Sequence, residues 1–124
     1  MKEGCTKLVL ADIDEKGLPA VADGLRALNP DVQVVTVKVD VSSESDVQHM
    51  VSTAVAKFGA IHYAVNNAGI SSKPRAKTHE LSTDAWDQLI AVNLRGVWLC
   101  ERAEIQQMLR QETTLIPPWV SYLS

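Results

Sequence analysis

The sequence predicts an α/β fold built on a doubly wound parallel sheet, and three observations lead there. Short β-branched runs alternate with helical stretches in the order β-α-β-α-β-α, a pattern that produces a parallel sheet flanked by helices. Each strand-like run ends in a distinctive group: Asp12, then Asp40-Val41, then Asn66-Asn67-Ala68-Gly69. The chain has 124 residues of ordinary apolar content, which suits one domain.

Lys7 to Asp12 (KLVLAD) reads as a short buried strand. Gly17-Leu18-Pro19 opens a helix, with Pro19 in the first turn, where a missing N–H matters least. Leu18, Val21, Ala22, Leu25 and Leu28 recur at three and four residues, as one helix face does. Asn29-Pro30-Asp31 marks a turn. Val32 to Val39 (VQVVTVKV) is β-branched and mostly alternating, so it reads as the second strand.

Ser43 is placed to cap the next helix. That helix buries Val47, Met50, Val51, Ala54, Val55 and Phe58, and Gly59 ends it. Ile61 to Val65 is the expected third strand, and residues 70–81 form a polar loop. Ser82 caps a long helix from Thr83 to about Gln111, with Trp86, Leu89, Ile90, Leu94, Val97, Trp98, Ile105, Met108 and Leu109 as its apolar positions. Residues 113–124 break the pattern, and Pro117-Pro118 precludes a regular helix there. The expected division is therefore a domain over 1–112 and a divergent tail over 113–124.

Net charge is −3 without a basic stripe, so nucleic acid is not an expected partner. No apolar run approaches the ~20 residues that cross a membrane. Met1 to Cys5 carries no signal-peptide-like apolar segment, and a cytoplasmic location is expected. Cys5 and Cys100 form no CxxC pair and are expected to be reduced thiols. His49, His62 and His79 have no metal-ligand spacing with either cysteine, so no metal site is expected.

Ligands of parallel α/β sheets bind outside the carboxyl ends of the strands, where Asp12, Asp40-Val41 and the Asn-rich loop all fall. An acidic residue ending the first strand can bind both hydroxyls of a ribose. Asp14 is the better-placed helix cap, which leaves Asp12 free. Asp40 could cap the following helix, but Ser43 already serves. The amides of Asn66 and Asn67 can pin neighbouring loops, and Ala68 and Gly69 let a flat ligand approach the backbone. Asn93, in Val92-Asn93-Leu94-Arg95-Gly96-Val97, sits mid-helix against its propensity, which points to a specific role. Trp86 and Trp98 read as core or interface residues, and His62 as a strand decoration.

An Asn-Asn-Ala-Gly loop followed by a Val-Asn-Leu-x-Gly helix resembles the short-chain dehydrogenase/reductase family over roughly residues 5–111. The resemblance implies a partial Rossmann-like fold and alcohol–carbonyl interconversion by hydride transfer with a nicotinamide cofactor. It implies that Asp12 holds the adenosine ribose and favours NAD over NADP. It places Asp40 and Val41 against the adenine and lines the cofactor channel with Asn66, Asn67, Ala68 and Gly69. It makes Asn93 a catalytic residue that helps hold a proton-relay water. It also implies a small alcohol or carbonyl substrate, and homo- or hetero-oligomers through helix 83–111. A non-catalytic protein that binds related subunits through that helix is the alternative.

Three family features are missing from the sequence. There is no glycine-rich turn like TGxxxGxG, no YxxxK pair, and no counterpart of the family's first strand. Tyr63 is followed at the fourth position by Asn67, and no Lys occurs after Lys77. Hydride reduction of a carbonyl needs a proton donor at the developing alkoxide, and an amide such as Asn93 cannot serve. The expectation is an incomplete, inactive central piece of the family. In the order 3-2-1-4-5-6 the missing strand lies between the first and third strands seen here. Those two strands are each expected to face an unpaired or ill-paired edge; they could pair across the gap or between chains, and rejoining would move the Asn-rich loop relative to Asp12.

Overall fold

A computed structural model of the chain describes residues 5–72 and 75–111. Strand β1 (Lys7–Asp12) leads into helix α1 (Leu18–Leu28), strand β2 (Gln33–Lys38) and helix α2 (Glu44–Phe58). A 3₁₀ turn (Thr78–Glu80) precedes helix α3 (Thr83–Ile90), a π-helical segment (Ala91–Gly96) and helix α4 (Val97–Met108). The two strands pair in parallel from Lys7 opposite Gln33 to Asp12 opposite Lys38. Asp12 and Asp40 therefore lie at the same end of the sheet.

One cluster forms the core. Val37, Val39, Val47, Leu99 and Cys100 are buried together, with Val9, Val35, Val41, Met50 and Ala103 against them. Side chains alternate across a strand, so Val9, Val35 and Val37 share the face on which α2 and α4 pack. Helix α1 packs on both strands, and its buried Leu18 and Ala22 lie outside that cluster. Val21 and Leu28, expected on the buried face of α1, are exposed. The two strands are narrower than the apolar stripe of the helix, so its flanks remain uncovered.

Local chemistry sets the helix ends as expected. The Ser43 side chain accepts from the Asp46 N–H, and the Ser82 side chain accepts from the Ala85 N–H. Gly59 ends α2 at φ +85°, with its N–H donated to the Val55 carbonyl, a left-handed conformation that suits glycine. Asp14, in contrast, does not cap α1. The N-cap is Gly17, which has no side-chain bond, and Asp14 accepts from the Lys16 N–H in the preceding turn.

Two expectations fail. Ile61–Val65 forms no strand, and among the described residues it has no partner strand. Its side chains are not buried: Tyr63 is 75 % and Val65 88 % exposed. β1 is likewise only half-buried, because β2 is the one strand paired with it among the described residues. The two segments do not close across the gap. A strand needs a hydrogen-bonded neighbour, whereas Ile61 is bonded to the Gln111 side chain in the turn after α4. His62 accordingly decorates no strand.

The long helix of the sequence reading is three pieces in one helical run. Its apolar residues also serve two faces. Leu99, Cys100 and Ala103 pack into the core. Leu94, Trp98, Ile105 and Leu109 are exposed on the outside. Trp86 and Trp98 are half-exposed and so belong to no core. The proposed tail, residues 113–124, lies outside the described residues.

Candidate functional site

The site is assembled at the carboxyl ends of β1 and β2 and along the α3–α4 helical run. Asp12 ends β1. Its Oδ1 accepts from the Asp14 N–H at 2.9 Å, and its carbonyl accepts from the Val39 N–H at 3.0 Å. The side chain is exposed and borders a recess of about 130 Å³ with Asp14, Gly17, Leu18 and Val21.

Asp40 begins the turn after β2. Its Oδ1 accepts from both the N–H and the hydroxyl of Ser42, at 2.9 and 2.6 Å. Its own N–H donates to Asp46 Oδ2 at 3.0 Å. That bond, followed by one from the Ser43 hydroxyl, holds the Asp46 carboxyl below its ordinary range. Asp40 is thus a turn organiser, and its carboxylate is already partly engaged.

Val41 connects this turn to the helical run. A Cβ placed on Gly96 would lie 2.8 Å from Val41 Cγ2, 3.1 Å from the Val41 carbonyl oxygen and 3.2 Å from the Ala91 carbonyl oxygen. Only glycine permits that approach. Arg95 adds a bond from Nη1 to the Ser42 carbonyl at 3.0 Å. On the far side, Arg102 pairs with Glu44 and lies 4.5 Å above the Trp98 ring, joining α4 to the start of α2.

Asn93 sits within the π-helical segment. Wider helical turns of this kind concentrate at functional sites. Its side-chain amide meets the backbone of Ile70 twice. Oδ1 accepts from the Ile70 N–H and Nδ2 donates to the Ile70 carbonyl, both at 2.8 Å. Gly69 lies beside this clamp, where an added Cβ would rest 3.5 Å from Asn93 Oδ1. That is an ordinary contact, so the chain's own packing does not require glycine there. Loop residues 69–72 and α3 border an open cavity of about 460 Å³.

Asn66 donates from Nδ2 to Glu104 Oε2 at 2.9 Å. Asn67, Ala68 and Gly69 are exposed. Gln111 makes a second two-way clamp, accepting from the Ile61 N–H and donating to the Ile61 carbonyl, both at 2.7 Å. Three side chains of the helical run and its exit turn therefore hold residues 61, 66 and 70. Residues 61–70 and the helical run lie in opposite directions.

Several of the sequence candidates meet this framework, whereas Asn67 and Ala68 are exposed beside it. Asp12 and Asp40 share a sheet end, Val41 touches the Gly96 turn, and Gly69 adjoins Asn93. Glu104, Gln111, Gly96 and Arg95 were not singled out by the sequence reading. Glu104 did carry a signal. It falls four residues after Cys100 and four before Met108, a charge on an otherwise inward stripe. Cys100 is pushed up to about 11, first by burial and then by Glu104 and Glu101.

Among the described residues no three His, Cys, Asp or Glu side chains are grouped to hold a metal ion, and no helix is long and apolar enough to cross a membrane.

With this geometry in place, comparison with known proteins is direct. The family model for short chain dehydrogenases matches residues 1–116. The chain belongs to the short-chain dehydrogenase/reductase family, a family of oxidoreductases with a Rossmann-like fold. It is 32 % identical over 111 residues to chanoclavine-I dehydrogenase ifgE of Penicillium roqueforti (strain FM164), covering 86 % of this chain and 42 % of that protein. It resembles the crystal structure of levodione reductase with a TM-score of 0.79 and 33 % identity, over 82 % of this chain and 39 % of the other. It resembles a short chain dehydrogenase/reductase from Burkholderia phymatum, solved in complex with NAD, with a TM-score of 0.76 and 37 % identity, over 83 % and 35 %. The chain thus spans about two-fifths of the length of these relatives. Overlap of this quality means that the elements keep the family arrangement.

Proposed function

We propose that this chain carries the adenosine-side recognition and the Asn-rich channel wall of an NAD-dependent alcohol–carbonyl oxidoreductase, and that by itself it does not turn over. The observation that carries this reading is the Asn93 clamp. It fixes the Ile70 backbone, and with it Gly69, against the same helical segment that receives Val41. The Asp40-Val41 turn and the Asn-rich loop are thereby held on one support.

The residues fit the cofactor at one end. Asp12 spends Oδ1 on a local turn and keeps its other oxygen for a ribose hydroxyl. Val41 offers an apolar surface for the adenine ring. Gly69 is exposed and carries no side chain, which lets a flat ring approach its backbone. At the pyrophosphate end the fit fails, because the 124 residues contain no glycine-rich turn. A bound nicotinamide would give or accept the hydride. Asn93 would orient a water rather than supply the proton, and neither tyrosine stands in a YxxxK pair. Loss of the acid–base group alone costs about 10²–10⁴-fold in rate.

Asp12 also supports NAD over NADP, since a 2′-phosphate would face its carboxylate. The exposed Leu94, Trp98, Ile105 and Leu109 support association with a related subunit through the outer face of the helical run.

The test is a titration of isotope-labelled chain with NADH and NADPH, followed residue by residue. Shifts centred on Asp12, Val41 and Gly69 are expected, with NADH affinity no tighter than roughly 1 mM and NADPH weaker. NAD-dependent turnover by the purified chain, or binding centred elsewhere, would refute the reading.

A further inference from the structure

We propose that Glu104 is a positioning residue that fixes the register of the Asn-rich loop along the helical run. The inference builds on the cofactor reading above only in what the loop is positioned for.

Residues 61–70 lack sheet partners among the described residues, yet they are not loose. Gln111 holds Ile61, Glu104 holds Asn66 and Asn93 holds Ile70. The outer clamps bond backbone atoms and work for any side chain at 61 and 70. The middle rung alone reads a side chain, Asn66, and so alone distinguishes one register from a slipped one.

Glu104 suits this role. It is 7 % exposed, and a buried carboxylate without partners is costly. The bond from Asn66 offsets that cost. A slip of one residue in one direction would put Val65 at the carboxylate, and Val65 cannot donate from its side chain. A slip in the other direction would bring Asn67, whose amide can donate, so the rung excludes the first slip and leaves a buried acid unpaired only there. Register in turn decides which residue of Asn66-Asn67-Ala68-Gly69 lies beside Asn93.

The test compares the full chain with Glu104→Gln and Glu104→Leu by hydrogen exchange and by the side-chain amide resonance of Asn66. A Gln oxygen still accepts the bond, whereas Leu cannot. Glu104→Leu is expected to speed exchange of the Ile70 N–H, the bonded amide of this loop, by about tenfold or more, the scale of one lost bond to a charged group. Glu104→Gln should stay within about threefold of the parent. If Glu104→Leu disturbs β1 and α2 as well, Asn66→Ala replaces it and should give the same local loss. Unchanged exchange at the Ile70 N–H in both the Leu and Ala variants, or equal loss in Gln and Leu, overturns the proposal. An NADH titration of the same variants separates the two ideas. Rescue by Gln with no NADH binding to any form leaves Glu104 in place and removes the cofactor reading.

Discussion

Replacing Gly96 by alanine tests the contact between the Asp40-Val41 turn and the helical segment that holds Asn93. The new methyl would lie 2.8 Å from Val41 Cγ2 and 3.1 Å from the Val41 carbonyl oxygen. The first atom belongs to a short branched side chain and the second to backbone, so neither yields freely. A third contact, 3.2 Å to the Ala91 carbonyl oxygen, comes from the π-helical segment itself. Overpacking of this kind costs about 1–3 kcal/mol. Alanine returns about 0.5–1 kcal/mol through helix propensity. With one contact under 3 Å and two against backbone oxygens, the cost sits at about 2–3 kcal/mol, and the net expectation is a loss of about 1–2.5 kcal/mol. With a urea slope typical of small domains, the midpoint falls by roughly 0.5–1 M at unchanged slope. Val41→Ala removes the nearest atom, so Gly96→Ala should cost less in that background, a coupling of about 0.5 kcal/mol or more. A Gly96→Ala chain as stable as the parent, or strict additivity with Val41→Ala, would refute the reasoning.

Further predictions follow from other contacts. Ser43→Ala removes the α2 cap and should lower stability by about 1 kcal/mol in the same unfolding assay. The Asp46 carboxyl titrates below its ordinary value of 3.8, so its stabilisation is present above that pH and is lost as pH falls through the lower folded value. Asp46→Asn should therefore show a shallower fall of the urea midpoint from pH 4 downward, and an unchanged fall would contradict the assignment. Cys5 is exposed whereas Cys100 is buried with its thiol pushed up to about 11. Alkylation at pH 8 should add one adduct by mass before unfolding and a second after it. Asn93→Leu loses both bonds to Ile70 and should raise exchange at Gly69 and Ile70 while leaving α2 protected.

What the sequence revealed follows physical range. Ser43, Ser82 and Gly59 were legible because a cap is written within four residues of the helix it ends. The strands β1 and β2 were legible because each is apolar and they find one another. Ile61–Val65 has the same composition but no partner strand among the described residues, and composition alone cannot show that. The π-helical turn has no propensity signature. Only the awkward Asn93 hinted at it, and the tight approach of Gly96 to Val41 appears only in three dimensions. Glu104 and Gln111 were missed because their partners lie 38 and 50 residues away. The placement of Asp12 and Asp40 at one sheet end was legible, but the contacts that hold Asn66 and Ile70 were not.

The most direct test is a crystal structure of the chain soaked with NADH. The adenosine ribose should place its two hydroxyls within about 3 Å of the Asp12 carboxylate, with the adenine ring against Val41. Adenosine bound away from the ends of β1 and β2, or Asp12 turned from the ribose, would contradict the assignment of this site.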